Sequence, residues 1–233
     1  MEIMILYDNK TQREELIADW GFSLYIGSPL NILFDFGRDP KILRHNIERL
    51  SIDLSEVKTL FISHYHNDHI GGLTGIIDRL PRGENRVVYG PPSPPGNLKK
   101  EVSSHNWLFS ETIGFSQIGE DVYTTGPLYP GNEQSLILRK DGRLVVITGC
   151  AHPGVEKILS TVQEYLKEEI YLLIGGFHTH NWDVGRLRGL IGFLSDRVKY
   201  VLPCHCSGEV IVDLLKDTRM YMGDCGCGKT VEV

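Results

Sequence analysis

The chain has 233 residues, 41% of them hydrophobic, and 30 acidic against 24 basic side chains give it a formal net charge of −6. That length can bury one substantial core, and no shift in composition marks a linker, so the expected organisation is a single domain over residues 1–233. The negative charge argues against a general nucleic-acid or membrane-surface binder and leaves a small-molecule substrate, whose charge, if anionic, must be met locally.

The first residues, Met1 to Asp8, lack the basic segment and long apolar stretch of a signal peptide. No run reaches the ~18 apolar residues that a membrane span needs. Five cysteines, an odd number, fit a reducing compartment better than a disulfide framework, so a cytoplasmic location is expected.

In chain order, residues 2–7, 22–26 and 31–35 read as strands. Asp39-Pro40 then supplies an N-cap and a first-turn proline for a helix over 40–50, where Ile42, Leu43, Ile47 and Leu50 recur at helical spacing. The β-branched and aromatic run 57–63 reads as a buried strand, and 70–77 as a short helix opened by small residues. After a strand at 86–90, the proline-rich stretch 91–100 reads as a loop. The wider segment 91–107 is either solvated or a pocket cover, with Trp107 to stack a flat ring and Lys99, Lys100 and His105 to meet a phosphate. His45 and His105 otherwise read as surface residues.

Residues 134–139 and 143–148 flank Asp141-Gly142, a strong hairpin signal. A helix over 155–167 follows, and strands near 170–175 and 198–202 then alternate with helices near 184–195 and 208–216. Hairpins early and strand–helix alternation late are compatible with two packed mixed sheets covered by helices, an α/β (α+β) class.

The stretch His64-Tyr65-His66-Asn67-Asp68-His69 closes the strand 57–63. His64 and His66, two residues apart on extended backbone, point the same way, and the turn after them lets Asp68 and His69 face a second direction. Neutral imidazole suits zinc and iron, while a carboxylate adds charge and holds a water in hydrogen-bonding position. The bland alternative, a polar turn whose histidines only cap and hydrogen-bond, does not account for three histidines and an aspartate in six residues.

At these residues the chain resembles the metallo-β-lactamase superfamily, whose H-x-H-x-D-H signature is matched position for position. The resemblance implies a four-layer αββα sandwich of two mixed sheets with a one- or two-metal site at one edge. A catalytic site takes three protein ligands plus water. His152, in Gly149-Cys150-Ala151-His152-Pro153-Gly154 after the apolar strand, is the candidate third ligand to join His64 and His66. His205, after Tyr200-Val201-Leu202-Pro203, would join Asp68 and His69 on a second metal.

Cys150 stands where many superfamily members carry the aspartate that bridges both metals. A thiolate there would bind zinc well; the alternative is a small buried thiol with His152 alone as ligand. Cys204 and Cys206, with Cys225 and Cys227, also admit a separate structural zinc site, although they lack the usual two-residue spacers. Asp35 resembles the superfamily's early strand-ending aspartate, which supports the metal histidines from behind. His178 and His180 follow another strand, and His178 is a candidate to contact substrate or carry protons, with exposed histidines as the alternative.

Two metals ~3.5–4 Å apart bridge a hydroxide that is nucleophilic at neutral pH, and they polarise the substrate oxygen. The expected cofactors are two divalent ions, zinc first, then iron or manganese. The default chemistry is hydrolysis of a small anionic ester, lactone, thioester or phosphoester, with Asp68 taking part in catalysis as well as in metal binding.

Ser63 to His69 with the following Gly-Gly-Leu, Glu133-Gln134-Ser135-Leu136, Gly149 to Gly154, Gly175-Gly176-Phe177-His178 and His205-Cys206-Ser207-Gly208 together resemble one subfamily. It is related to the dihydropterin-methyl-ribofuranosylaminobenzene phosphate synthases, which implies a pterin transferase with a pyrophosphate leaving group. Readings from other classes are a di-iron redox protein and a non-catalytic metal binder.

Overall fold

Two mixed sheets organise the computed structural model, which describes residues 1–83 and 86–233. The chain divides into two compact units, residues 1–113 with 225–233, and residues 114–224.

In the N-terminal unit, strands β1 (Glu2–Tyr7), β2 (Ser23–Ile26) and β3 (Ile32–Phe34) pair antiparallel in sequence, β1 with β2 and β2 with β3. Helix α1 (Pro40–Arg49) follows the Asp39-Pro40 signal as expected: the Asp39 carboxylate accepts from Lys41 N at 2.7 Å and Ile42 N at 3.2 Å, satisfying donors that the first turn leaves open. Its apolar stripe buries Leu43 and Ile47 among Leu6, Leu33, Leu60 and Ile62. Strand β4 (Thr59–Phe61) is parallel to β3, and helix α2 (Asn67–Ile70) comes next.

The helix expected over 70–77 is displaced. It begins at Asn67, so Asp68 and His69 ride on it, and residues 71–75 tighten into a 3₁₀ turn. The glycines explain this: a Cβ on Gly72 would lie 1.9 Å from the Phe36 carbonyl oxygen, and one on Gly75 2.2 Å from that of Pro40. The segment is pressed against 36–40 backbone more closely than a helix with side chains allows.

Strand β5 (Val87–Gly90) is parallel to β4, helix α3 (Leu98–Ser104) follows, and β6 (Leu108–Glu111) is parallel to β5. The reading of 91–100 as loop throughout is corrected at its end. The prolines stop at Pro95, and Leu98 and Val102, one turn apart, are buried as the inner face of α3. The pocket-cover reading also fails, because Trp107 is only 3% exposed and its Nε1 donates to the Pro81 carbonyl at 2.9 Å. Lys99 is paired with Glu111 at 2.5 Å. His45 and His105 are half-buried rather than plain surface residues, the first against the Glu15 carbonyl and the second against the Asp78 carboxylate.

In the C-terminal unit, β7 (Ser116–Gly119) and β8 (Val122–Thr124) lead to the β9 (Leu136–Lys140) and β10 (Arg143–Thr148) hairpin. Its turn has Asp141 at φ 50° and Gly142 at φ 72°, the pair of positive values that the Asp-Gly signal predicts. Helix α4 (Val155–Tyr165), β11 (Glu169–Gly176), helix α5 (Val184–Ser195), β12 (Val198–Cys204) and helix α6 (Glu209–Lys216) complete the unit, with β10, β11 and β12 parallel. Ile158, Leu159 and Val162 of α4, Leu190 and Leu194 of α5 and Leu215 of α6 share a core with Leu144, Val146, Leu173 and Val201 of the sheet.

The chain then returns to the N-terminal unit, where β13 (Thr230–Glu232) pairs antiparallel with β1. The sheet orders are β13-β1-β2-β3-β4-β5-β6 and β12-β11-β10-β9-β8-β7. Each sheet is parallel at one end, and there the loops leaving the strands carry the candidate residues: Asp35 after β3, His64 to His69 after β4, Cys150 to His152 after β10, His178 after β11 and His205 after β12. Loops at the carboxyl ends of parallel strands are where such sheets bind ligands. Among the described residues no helix is long and apolar enough to cross a membrane.

Candidate functional site

In the N-terminal unit Asp35 is fully buried and held at φ 48°, a left-handed conformation for a non-glycine residue. Its Oδ1 accepts from Ser63 N at 2.7 Å, and its Oδ2 from Ser63 Oγ at 2.6 Å and His69 Nδ1 at 2.6 Å. Ser63 Oγ also lies 2.9 Å from His64 Nδ1. A carboxylate only accepts, so His69 carries its proton on Nδ1; Ser63 gives its one proton to Asp35 and therefore accepts from His64 Nδ1. One buried carboxylate thus sets two tautomers, and both Nε2 lone pairs are left as donors.

The His64 ring sits 4.2 Å from that of His69 and 4.7 Å from that of His66, between centroids. Ligand atoms of Asp35, His64 and His69 all fall within 4.8 Å of one another. His66 is exposed at the rim. Asp68 Oδ2 lies 4.0 Å from His69 Nε2 and accepts from Trp20 Nε1 at 2.8 Å. The Trp20 segment is clamped to α2 by Phe22 N donating to the Asp68 carbonyl, and it is anchored by Asp19, which binds Tyr7 and Arg38.

The C-terminal unit repeats the arrangement with other residues. Glu133, nearly fully buried, accepts on Oε1 from Cys150 N at 2.8 Å and Ala151 N at 2.7 Å, and on Oε2 from His152 N at 2.9 Å and His152 Nδ1 at 2.7 Å. His152 is therefore protonated on Nδ1, and its Nε2 carries the ring's lone pair. Its ring is 4.5 Å from that of exposed His178, which in turn is 5.6 Å from that of His180.

His205 is buried at the start of a 3₁₀ turn, His205–Ser207, with φ 47°. Ser207 fixes that turn: Phe177 N donates to its Oγ, which donates to the Cys204 carbonyl, while Thr179 Oγ1 donates to the Ser207 carbonyl. The hydrogen bond to Cys206 raises the His178 imidazole above its ordinary value against the opposing effect of burial. Burial pushes the Cys206 thiol up, but hydrogen bonds with Cys150 and His178 outweigh it and hold the thiol well below its usual range.

Burial pushes the Cys227 thiol up to about 12, and it accepts from Asp8 N at 3.2 Å. Sequence reasoning named Asp35 but overlooked Ser63, Trp20 and Glu133 as site residues. For Glu133 the usable signal was a carboxylate in a polar stretch, Asn132-Glu133-Gln134, leading directly into an apolar strand.

The donors fit a divalent cation. Imidazoles crowded to ring contact, each with Nδ1 tied back to a buried carboxylate, present borderline nitrogen donors, and Asp68 adds an oxygen. Two mixed sheets whose strand-end loops carry such donors define an α/β fold with a candidate metal centre. The particular family is the metallo-beta-lactamase superfamily, whose description matches residues 26–205, and the chain belongs to it.

Among its relatives is the 7,8-dihydropterin-6-methyl-4-(beta-D-ribofuranosyl)-aminobenzene-5'-phosphate synthase of Methanocaldococcus jannaschii, 25% identical, with 78% of this chain and 77% of the relative covered. The ribonuclease Z of Listeria monocytogenes is 42% identical over a shorter match, 37% of this chain and 28% of that enzyme. The chain thus meets less than a third of that relative's length. A solved structure described as Tm1679, a metal-dependent hydrolase of the beta-lactamase superfamily, superposes with a TM-score of 0.83 at 27% identity, covering 100% of this chain and 99% of the other.

Proposed function

We propose that the protein is a metal-dependent hydrolase that uses two divalent cations on a small anionic substrate, a phosphoester, ester or lactone. His64, His66 and His152 hold one cation, and Asp68, His69 and His205 the other. In this reading residues 1–233 work as one catalytic domain. The observation that carries it is the bracing of the imidazoles: Asp35 and Glu133, both buried, each fix a histidine through Nδ1 and leave Nε2 to coordinate. Family membership and the likeness to a metal-dependent hydrolase support the same reading.

When bound, the cations supply a nucleophile from water at neutral pH and polarise the substrate oxygen. The chain's own contribution is orientation. Asp35 and Ser63 hold His64 and His69 in one tautomer, Glu133 does so for His152, and the Trp20 N–H restrains one oxygen of Asp68. No serine or cysteine nucleophile is required.

The test is metal content and turnover together. Chelator-treated protein reloaded with zinc, iron or manganese is assayed on chromogenic phosphodiesters and lactones, alongside His66→Ala and Asp68→Ala. Both variants are expected to keep the fold and lose metal and activity; full metal content in either sinks the ligand assignment.

A second reading, a synthase that joins an arylamine to a pterin methylene with loss of pyrophosphate, is favoured by the match over 78% of the chain to the Methanocaldococcus jannaschii enzyme. Inertness toward every ester in water, with pyrophosphate released only when both organic substrates are present, selects it.

A further inference from the structure

Behind His152 the C-terminal unit gathers a second donor set, of different chemistry, that the proposed pair does not use. The thiols of Cys150 and Cys206 and the imidazole of His178 all offer ligand atoms within 4.8 Å of one another. They come from three separate loops, after β10, β12 and β11, so the sheet and not local sequence brings them together. We propose that Cys150, Cys206 and His178 form a thiolate–imidazole site for a thiophilic divalent cation, zinc foremost.

Three observations carry this. The first is distance: tetrahedral zinc, with bonds of ~2.3 Å to sulfur and ~2.0 Å to nitrogen, places its donors roughly 3.5–3.8 Å apart, so donors already within 4.8 Å need only side-chain rotation to close on it.

The second is space made for sulfur. A Cβ on Gly176 would stand 2.6 Å from Cys206 Sγ and 3.1 Å from Cys150 Cα. Glycine at the end of β11 is what lets the two cysteines approach.

The third is backbone conformation. Ala151, His178 and His205, each a member or an immediate neighbour of the set, have φ of 59°, 54° and 47°. Left-handed backbone is costliest for Ala151, the residue that has no side chain able to bond locally in compensation. Such conformations persist where surrounding structure imposes them, commonly at ligand sites.

Binding exchanges two protons of the Cys150–Cys206–His178 cluster for one divalent ion, so its net charge is unchanged while two metal–sulfur bonds form. The Cys150 and Cys206 side chains are buried and His178 is exposed, so solvent reaches the site on the imidazole side, where a fourth ligand can enter. Two cysteines and one histidine with one open position is a known catalytic zinc arrangement. His178 thereby takes a ligand's place instead of the proton-carrying one that the sequence suggests.

The experiment is cobalt loading of the full chain after chelation, read by metal analysis and by the near-ultraviolet thiolate-to-cobalt charge-transfer absorption. Wild type is expected to hold about three equivalents, the histidine pair plus this site, with the charge-transfer band present. Cys206→Ser and the exposed-site variant His178→Ala should each lose about one equivalent, the first with most of the band and the second with a shifted band. His66→Ala should lower the metal content and leave the band unchanged.

If the pair reading is wrong and this one right, wild type holds about one equivalent and keeps a band that Cys206→Ser removes. A band absent from wild type, or one abolished by Cys150→Ser yet untouched by both Cys206→Ser and His178→Ala, overturns the site.

Discussion

In the N-terminal unit Asp35 gathers mainly side chains: it binds one backbone N–H, one hydroxyl and one imidazole, and reaches a second imidazole through the hydroxyl. In the C-terminal unit the Glu133 carboxylate accepts from three consecutive backbone N–H groups, at Cys150, Ala151 and His152, and from one imidazole. The first carboxylate sets proton positions on rings that α2 and its flanking turn already hold. The second shapes the loop itself. A buried carboxylate beside a metal histidine can therefore serve chiefly tautomer or chiefly backbone, and the two cases respond differently to the same substitution.

Glu133→Gln is expected to have the largest effect on stability. Whichever way its amide turns, the NH₂ faces at least one backbone N–H that cannot invert, which leaves buried donors unmet at a cost of about 3 kcal/mol. Urea unfolding measures this, and an unchanged midpoint would erase the distinction drawn between the two carboxylates.

Asp35→Asn should act mainly on metal. Its NH₂ can turn toward Ser63 Oγ and His69 Nδ1, which drives the His69 proton to Nε2 and blocks that donor, while its remaining oxygen keeps Ser63 N. Competition against a chelating dye should show affinity lower by about 10–100-fold, with a smaller loss in urea than Glu133→Gln shows.

A lesser effect is expected at Trp20, 43% exposed, whose N–H restrains Asp68. Trp20→Phe should weaken metal binding by about two- to ten-fold, the worth of one hydrogen bond in partly solvated surroundings. An unchanged dissociation constant would mean that α2 alone positions the carboxylate.

The smallest effect is a pH dependence confined to the N-terminal unit. Hydrogen bonds to the Glu101 carbonyl and to Asp78 raise the His105 imidazole above 6.5. A raised pKa means that the folded state binds the proton more tightly. This stabilisation is fully present below the ordinary imidazole value and fades as pH rises through the raised one. His105→Asn should flatten that part of the melting-temperature profile.

What the sequence revealed and what it concealed divide along physical lines. Asp39-Pro40, Asp141-Gly142 and the apolar runs ending at Ser63 and Thr148 announce elements through local chemistry, and the ligand loops follow directly from those strand ends. The 3₁₀ turn at 71–75 could not be read because its cause, contact with the backbone of residues 36–40, is tertiary. Helix α3 was hidden by the prolines just ahead of it. Strands β7 and β13 are short and owe their form to the partners beside them, Tyr123 and Thr124 for one and Ile3 and Met4 for the other. Glu133 and Trp20 reach their histidine and aspartate across 19 and 48 positions of sequence, beyond any local pattern.

The pairing of β13 with β1 has a consequence for synthesis. Without Thr230–Glu232, β1 is an edge strand with a row of open N–H and C=O groups. Those three residues leave the ribosome only after all of 114–224, so translation delivers the whole C-terminal unit before the N-terminal sheet can complete its border. The half of the chain that is made first, and that carries the histidine motif, is the last to be finished.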